Sequence, residues 1–209
     1  MSEAAPPVEP EEDEGTLGYE RVVAFSDGVF AIAITLLVLG LVVPEIPAGR
    51  ADDELPQALR DLGSQFVSYF VGFAVMGLFW LEHHRFFARL RAFDGSLLVM
   101  NLAYLSLIAL MPFTTGVFGR YGDVPLAVAL YAANVAVASL FAVAMRLFAQ
   151  RRRLLAGTDP RDERPLWRSF VPATVFLVSI AVAYVEPRAA PYVWLALLAD
   201  AVLARSRST

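Results

Sequence analysis

The chain alternates between long apolar segments and shorter polar connections. The apolar segments lie at residues 20–43, 63–85, 96–119, 124–149, 169–185 and 190–204. A helix needs about 20 apolar residues to cross the hydrocarbon core of a bilayer. Inside that core the backbone hydrogen bonds must be satisfied within the protein, which favours α-helices. The pattern therefore predicts an all-α polytopic membrane protein with six transmembrane helices.

Prolines mark several ends of these segments. Pro44 and Pro47 follow the first segment, and proline cannot continue a helix. The fifth and sixth segments are short, and Pro172 and Pro191 lie near their starts, so the pattern does not define where these two helices begin. Five or seven spans are therefore the alternatives to six.

The basic residues, all of them arginine, are spread unevenly over the connections between the segments. One side of the predicted bundle receives Arg85, Arg89, Arg91, Arg146, Arg151, Arg152, Arg153, Arg161, Arg164, Arg168, Arg205 and Arg207. The other side receives Arg50, Arg60, Arg120 and Arg188. Because basic residues accumulate in cytosolic loops, both termini are predicted to be cytosolic in a multi-pass protein of the cell membrane. The cytosolic location of this side also accounts for the arginine cluster at 151–153, so no nucleic-acid partner is required.

Composition supports the lipid bilayer as the environment and removes several classes of site. Hydrophobic residues make up 57% of the chain, the mean hydropathy is +0.56, and there is no cysteine. The lack of cysteine excludes disulfides, thiolate nucleophiles and cysteine metal sites. Residues 1–18 are rich in acidic side chains and proline. They are predicted to form a disordered acidic cytosolic tail, followed by a six-helix transmembrane domain at 19–209.

The first apolar segment carries Ser26 and Asp27 near its start, where a carboxylate is costly. Insertion scales put that cost at roughly 2.5–3.5 kcal/mol at a helix centre. In the predicted orientation, the end of the second segment and the start of the third lie at the same depth. The side chains brought to this level are Trp80, Glu82, His83, His84 and Asn101. A buried charge persists when it is paired and hydrogen-bonded, so Ser26, His83, His84 and Asn101 are the predicted partners of Asp27; two histidines at a wet interface are the alternative.

These polar residues do not have the spacing of a catalytic or metal site. Adjacent side chains such as His83 and His84 project about 100° apart on a helix, so one ion cannot easily use both. The sequence has no serine or threonine nucleophile with an obvious base and no glycine-rich phosphate loop. No enzymatic activity, resident metal or cofactor is therefore expected.

A second feature of the first segment is an aliphatic face. Ile32, Leu36 and Leu39 fall within roughly 60° of one another on a helical wheel, and Thr35 borders them. We call these four residues the aliphatic stripe. Asp27 lies about 140° from Ile32 and about 180° from Leu36, so it points away from the stripe. Lipid contact or core packing is the default role of such a face.

The pattern Arg21-x-x-x-Phe25-Ser26-Asp27 at the start of the first of six spans gives the stripe another meaning. It resembles the signature of the transmembrane protein 175 family, the potassium channels of lysosomes and prokaryotes. The stretches GVFAIAITLLVL, HHRFF and NLAYLSLIALMPF are also similar to that family. Eukaryotic members carry two six-helix copies, and this chain carries one, as prokaryotic members do. The resemblance implies a homotetramer whose first helices line a central pore.

The resemblance also implies roles for individual residues. Ile32 would form the main constriction, Leu36 and Leu39 would line the pore further outward, and Thr35 would supply a hydroxyl ring. Potassium would be the permeant ion, and nothing resembles the TVGYG carbonyl filter. The polar network that holds the pore helix would comprise Arg21, Phe25, Ser26, Asp27, Trp80, His83, His84 and Asn101.

Two other functions are compatible with the residues. A proton-coupled secondary transporter could use Asp27 with His83 or His84 as a relay, since ionisable groups inside membranes often mark such paths. Transporters usually show inverted repeats and broken helices, and neither is evident in the sequence. A non-conducting membrane scaffold fits the composition but leaves the polar cluster unexplained.

Overall fold

The structure is a computed structural model that describes residues 14–47, 49–156 and 166–194. Its helices are α1 (Glu14–Leu36), α2 (Ala51–Asp61), α3 (Gly63–Phe87), α4 (Gly95–Tyr121), α5 (Pro125–Arg151) and α6 (Leu166–Val185). A 3-10 helix, Leu37–Gly40, continues α1 without a break. The predicted all-α class is confirmed for this part of the chain.

The apolar helices match most of the predicted spans. Those long and apolar enough to cross a membrane are Gly18–Gly40, Gly63–Phe87, Gly95–Tyr121 and Pro125–Arg151. The fifth predicted span corresponds to the shorter apolar helix Ser169–Val185 within α6. The sixth starts as a helical turn at 190–194, and its remainder lies outside the described residues.

The limits of the first span differ from the prediction at both ends. The helix begins at Glu14, so residues 14–18, assigned to the acidic tail, are helical. The rest of that predicted tail, residues 1–13, lies outside the described residues. At the other end the helical conformation stops at Gly40, and Leu41 already has an extended backbone. The predicted end at residue 43 was too late because residue hydropathy cannot locate a change of backbone conformation.

The polar connection after the first span contains a helix that the sequence reading missed. Asp52, Asp53 and Glu54 occupy the first turn of α2, where acidic side chains interact favourably with the helix dipole. Arg50 forms an ion pair with Glu54 at 2.9 Å. No residue of α2 is buried within the subunit. Local sequence therefore stabilises this helix, without burial in the core.

The core of the subunit lies around α5, which packs between α4 and α6. Small side chains such as Ala132, Ala136 and Ala138 are completely buried there, which lets neighbouring helices approach closely. Of the most apolar stretch of each helix, 61% of residues are buried in α5 but only 22% in α1. Helix α1 packs against α3 and α4 at the edge of this core.

Glycines permit a close approach between α1, α3 and α4. A Cβ atom on Gly72 of α3 would lie 2.7 Å from Thr115 Cγ2 of α4 and 3.3 Å from Leu37 Cδ2. A Cβ atom on Gly119 of α4 would collide with the Ser68 side chain of α3. The three helices therefore meet at positions where any larger side chain requires a displacement.

The ends of the bundle are joined by different contacts. We call the end where α1 begins and α3 ends the arginine-rich end. There, Arg91 N donates to Leu154 O at 2.8 Å and Ala156 N donates to Arg89 O at 2.7 Å. At the opposite end, Arg188 Nε donates to Asp123 Oδ1 at 2.7 Å, and this bond and charge lower the pKa of the Asp123 carboxyl.

We expect Gly72→Ala to destabilise the protein by about 1–3 kcal/mol, because the new methyl group overpacks against Thr115. The matched control is Gly77→Ala in the same helix, where a Cβ atom meets nothing within 4 Å. That change should be neutral or stabilising by up to about 1 kcal/mol through helix propensity. Thermal unfolding of both variants in detergent measures the difference. Equal stability of the two would contradict the close α3–α4 approach.

Candidate functional site

A chain of hydrogen bonds between buried side chains connects α1, α3 and α4. Asn101 Nδ2 donates to Ser26 Oγ at 3.0 Å, and Ser26 Oγ donates to the Val22 carbonyl at 2.8 Å. His83 Nε2 lies 2.9 Å from Asn101 Oδ1. Because Asn101 Nδ2 is the donor to Ser26, the amide oxygen of Asn101 accepts a hydrogen bond from His83. The imidazole proton is therefore assigned to Nε2 of His83. All donors therefore point in one direction, from α3 through α4 to α1.

Aromatic rings surround the imidazole of His83. It stacks on Phe87, with ring centroids 4.3 Å apart, and lies nearly parallel to Tyr104 at 5.6 Å. Phe30 of α1 approaches it at 5.5 Å. His83 is buried, so its contacts are with aromatic faces and one amide. The predicted alternative of a histidine at a wet interface is therefore wrong for His83.

Asp27 belongs to a second, separate contact. Trp80 Nε1 donates to Asp27 Oδ1 at 2.9 Å, which links α1 to α3. Asp27 is half-buried and lines an open crevice of about 300 Å³ together with Tyr19 and His84. His84 is exposed, and its ring lies 5.6 Å from that of Trp80. The predicted single cluster is thus two contacts, and the partner of Asp27 is Trp80 instead of His83 or Asn101.

Arg21 and Phe25 lie on a different face of α1 from the polar network to which they were assigned. Phe25 is 54% exposed, and Arg21 is exposed as well. The Arg21 guanidinium forms no hydrogen bond or ion pair with the described residues. Both positions lie in line with the aliphatic stripe, about three and two helical turns before Ile32. Within the subunit the network therefore involves Ser26, Asp27 and their partners, without Arg21 or Phe25.

The aliphatic stripe lies on the exposed face of α1. Ile32 is 63% exposed, Leu36 43% and Leu39 72%. Thr35 is exposed too, and its Oγ1 donates to the Ile32 carbonyl at 2.8 Å. Its hydroxyl lone pairs therefore remain available on the stripe. The predicted angular separation of this stripe from the polar residues agrees with the structure.

The opposite face of α1 is buried against the subunit. Phe30, Ala33 and Leu37 are all within the core. Sequence reasoning did not single out Phe30, although its spacing of three from Asp27 and Ala33 places it on the inward face. Among the described residues no group of histidine, aspartate and glutamate side chains could hold a metal ion. The site therefore offers one buried network and one exposed stripe on opposite faces of a single helix.

Similar proteins share this part of the chain. The model of a family described as "Endosomal/lysosomal potassium channel TMEM175" matches residues 21–112, which include the network and the stripe. A potassium channel of Chamaesiphon minutus is 35% identical over 147 residues, which cover 68% of this chain and 72% of that protein. The chain belongs to the TMEM175 family. The family assignment made from the Arg21 to Asp27 motif is thereby confirmed.

Further members and homologues extend the similarity. A potassium channel of Streptomyces collinus is 41% identical over 103 residues. The match covers 48% of each chain, so the chain spans about half the length of that TMEM175 relative. The crystal structure of a lysosomal potassium-selective channel TMEM175 homolog from Chamaesiphon minutus matches with a TM-score of 0.75 at 25% identity. That match covers 89% of this chain and 97% of the other.

We expect Asn101→Leu to destabilise the protein, because it leaves the buried imidazole N–H of His83 without an acceptor and removes the donor to Ser26 Oγ, which keeps only its bond to the Val22 carbonyl. Each buried polar group left without a partner costs about 1–3 kcal/mol. Ser106→Ala on the same helix is the control, since its hydroxyl is exposed and bonds only to the Ala103 carbonyl. The measurement is the midpoint of thermal unfolding, followed by size-exclusion chromatography in detergent. A stability equal to that of the control would mean that the network does not hold α1.

Proposed function

We propose that the protein is a potassium-selective channel that assembles as a homotetramer around a central pore lined by α1. The observation that carries the proposal is the exposed stripe on a helix whose other face is fixed by a buried polar network. The activity named for its relatives, potassium channels of Streptomyces collinus and Chamaesiphon minutus, supports the ion. Potassium is then the permeant ion, and no resident cofactor or enzymatic step is required.

The character of the exposed face favours a pore over lipid. Contact with lipid favours apolar side chains, whereas charged side chains are costly in hydrocarbon. The outward face of α1 instead includes Arg21, Gly28 and the hydroxyl of Thr35 along with Ile32. A charged group, a small residue and an available oxygen in one line are suited to a path that contains water.

The narrowest point is assigned to Ile32. Four symmetry-related isoleucine side chains offer an ion no oxygen to replace its lost hydration. Such a ring gates by expelling water when narrow and admits ions when slightly wider. Leu36 and Leu39 continue the apolar lining beyond it. Thr35 supplies the polar group nearest to the constriction, because its hydroxyl oxygen is held beside the Ile32 carbonyl.

The distribution of arginines supports placing the arginine-rich end in the cytosol of a cell with the protein in its surface membrane. In that orientation Asp27 and the network lie in the cytosolic half of the bilayer. The aliphatic stripe then extends from the middle of the membrane toward the outside. Ions would pass the level of the network before reaching Ile32 on their way out.

A proton-coupled carrier has less support than a channel. A relay needs ionisable groups that exchange protons with one another, yet Asp27 is bonded to Trp80, and His83 is bonded to Asn101. The four long apolar helices have no interruption of their helical backbone in their central turns. Broken helices are the usual sign of a transporter's binding site.

We expect Ile32→Asn to raise conductance and to reduce potassium preference about tenfold, because the amide wets the constriction. Thr35→Val should also reduce the preference, because valine keeps the shape and removes the hydroxyl. The measurement is the reversal potential in planar bilayers under a potassium/sodium gradient. For a monovalent ion, a tenfold change in the permeability ratio shifts that potential by about 59 mV.

The controls for these two variants are on α6. Thr174 is exposed and its hydroxyl donates to the Phe170 carbonyl at 3.0 Å, so Thr174→Val removes the same kind of bond outside the proposed pore. Val178 is 52% exposed, and Val178→Asn places the same amide there. Wild-type selectivity in the α1 variants combined with altered selectivity in the α6 variants would place the pore elsewhere.

We expect the double variant His83→Gln with His84→Gln to leave the current independent of a proton gradient, as in the wild type. A channel has no step that requires a histidine to change charge near pH 6–7. Proteoliposome fluxes measured with and without a pH gradient provide the test. Proton-driven potassium flux in the wild type, abolished in the double variant, would favour the carrier.

A further inference from the structure

Six arginines surround the short antiparallel pairing at the arginine-rich end. We call Arg85, Arg89, Arg91, Arg151, Arg152 and Arg153 the arginine platform. Leu90 and Leu155 form an isolated antiparallel bridge between the α3–α4 connection and the residues after α5. Leu90 packs against the hydrophobic core, whereas Arg91 beside it is exposed. The backbone thus fixes the spacing of charges that come from two distant parts of the chain.

The charges of this platform are not neutralised by the described residues. Five of the six arginines are exposed and Arg89 is half-buried. None of them forms a hydrogen bond or an ion pair with another described side chain, and Arg152 lies 5.6 Å above the Phe148 ring. The nearby carboxylate of Asp94 accepts from Leu97 N as the N-cap of α4. The platform is therefore a positive surface whose arginines form no ion pair with the described residues.

The N-terminal segment of the chain enters the fold directly beside the platform. Tyr19 donates its hydroxyl to the Phe87 carbonyl at 2.6 Å, and its ring lies 6.3 Å from that of Phe93. Phe87 and Phe93 bracket the connection that carries Arg89 and Arg91. Residues 1–13 precede Glu14, the first residue of α1, which lies five residues before Tyr19. At about 3.3–3.6 Å per residue they span up to roughly 45 Å when extended, which is long enough to fold back toward the platform.

That segment has the complementary charge. Its acidic residues are Glu3, Glu9, Glu11, Glu12 and Asp13, and it contains no arginine or lysine. We propose that the N-terminal segment 1–13 binds the arginine platform through these carboxylates. The proposal depends on the shared location at the arginine-rich end and is independent of ion selectivity.

Attachment to the same chain makes such an interaction effective although each pair is weak. Exposed ion pairs are individually weak, because water screens the charges and two long side chains lose conformational freedom. Two groups joined by a short stretch of chain have an effective concentration in the millimolar range, so several weak pairs suffice. Because the pairs are exposed, salt screens them, with a Debye length of about 10 Å at 0.1 M. Anionic lipid headgroups are the competing occupant, since arginines next to a membrane surface are attracted to negatively charged lipids.

Disulfide trapping tests the proposal, since the chain has no cysteine of its own. The full-length double variant Val8→Cys with Ala92→Cys is reconstituted in phosphatidylcholine nanodiscs, and the rate of oxidative cross-linking is measured. Ala92 is exposed and follows Arg91. We expect the rate to fall about three- to tenfold between about 0.05 M and about 0.5 M salt, and equally when Arg89→Gln and Arg91→Gln are added.

Two further variants separate this contact from simple proximity. Neutralising Asp159, Asp162 and Glu163, which lie in sequence just after the platform, should leave the rate unchanged. Reversing both partners, with Glu9→Arg and Glu11→Arg against Arg89→Glu and Arg91→Glu, should restore it. A cross-linking rate insensitive to salt and to the arginines would overturn the proposal. The proposal would also be overturned if the arginine variants bound less phosphatidylglycerol but cross-linked at the original rate. In that case the platform would bind lipid headgroups instead of the N-terminal segment.

Discussion

The requirement that polar side chains be paired inside a low-dielectric layer determines the orientation of α1. Ser26 and Asn101 are buried, and burying either side chain without a hydrogen-bond partner would cost considerable free energy. The amide of Asn101 joins the hydroxyl of Ser26 to the imidazole of His83, and these bonds restrict rotation of α1 about its axis. Because the stripe lies on the opposite side of the same helix, the bonds also determine where Ile32 points.

Much of this arrangement could be predicted from the positions of residues along one helix. A rotation of about 100° per residue was sufficient to separate Asp27 from Ile32 and Leu36. The orientation predicted from the arginines placed Ser26, His83 and Asn101 at one depth. It could not determine which side chains touch, because helix crossing angles and rotamers decide whether Trp80 or His83 reaches Asp27. Arg21 and Phe25 were grouped with the network through the family resemblance, although the rotation per residue places both of them near the stripe.

Other differences from the sequence reading have local causes. Helix α2 was overlooked because its composition is polar. The acidic residues in its first turn interact favourably with the helix dipole, and Arg50 pairs with Glu54, so the helix is stabilised without being buried. The pairing of residues 89–91 with 154–156 has no hydropathy signal at all. It depends on two connections that are brought together only when α3, α4 and α5 have packed.

The 3-10 helix Leu37–Gly40 changes the length and the rotation of the helix that carries the aliphatic stripe. A 3-10 helix rises about 2.0 Å per residue and turns about 120°, against about 1.5 Å and about 100° in an α-helix. Its four residues therefore extend about 2 Å further than an α-helical turn of equal length. Leu37 and Gly40 consequently lie on one line, with Leu37 buried and Gly40 close to Gly116. Val38 and Leu39 are both exposed, so the exposed apolar face of this helix is broader in its last turn than a continuous α-helix would make it.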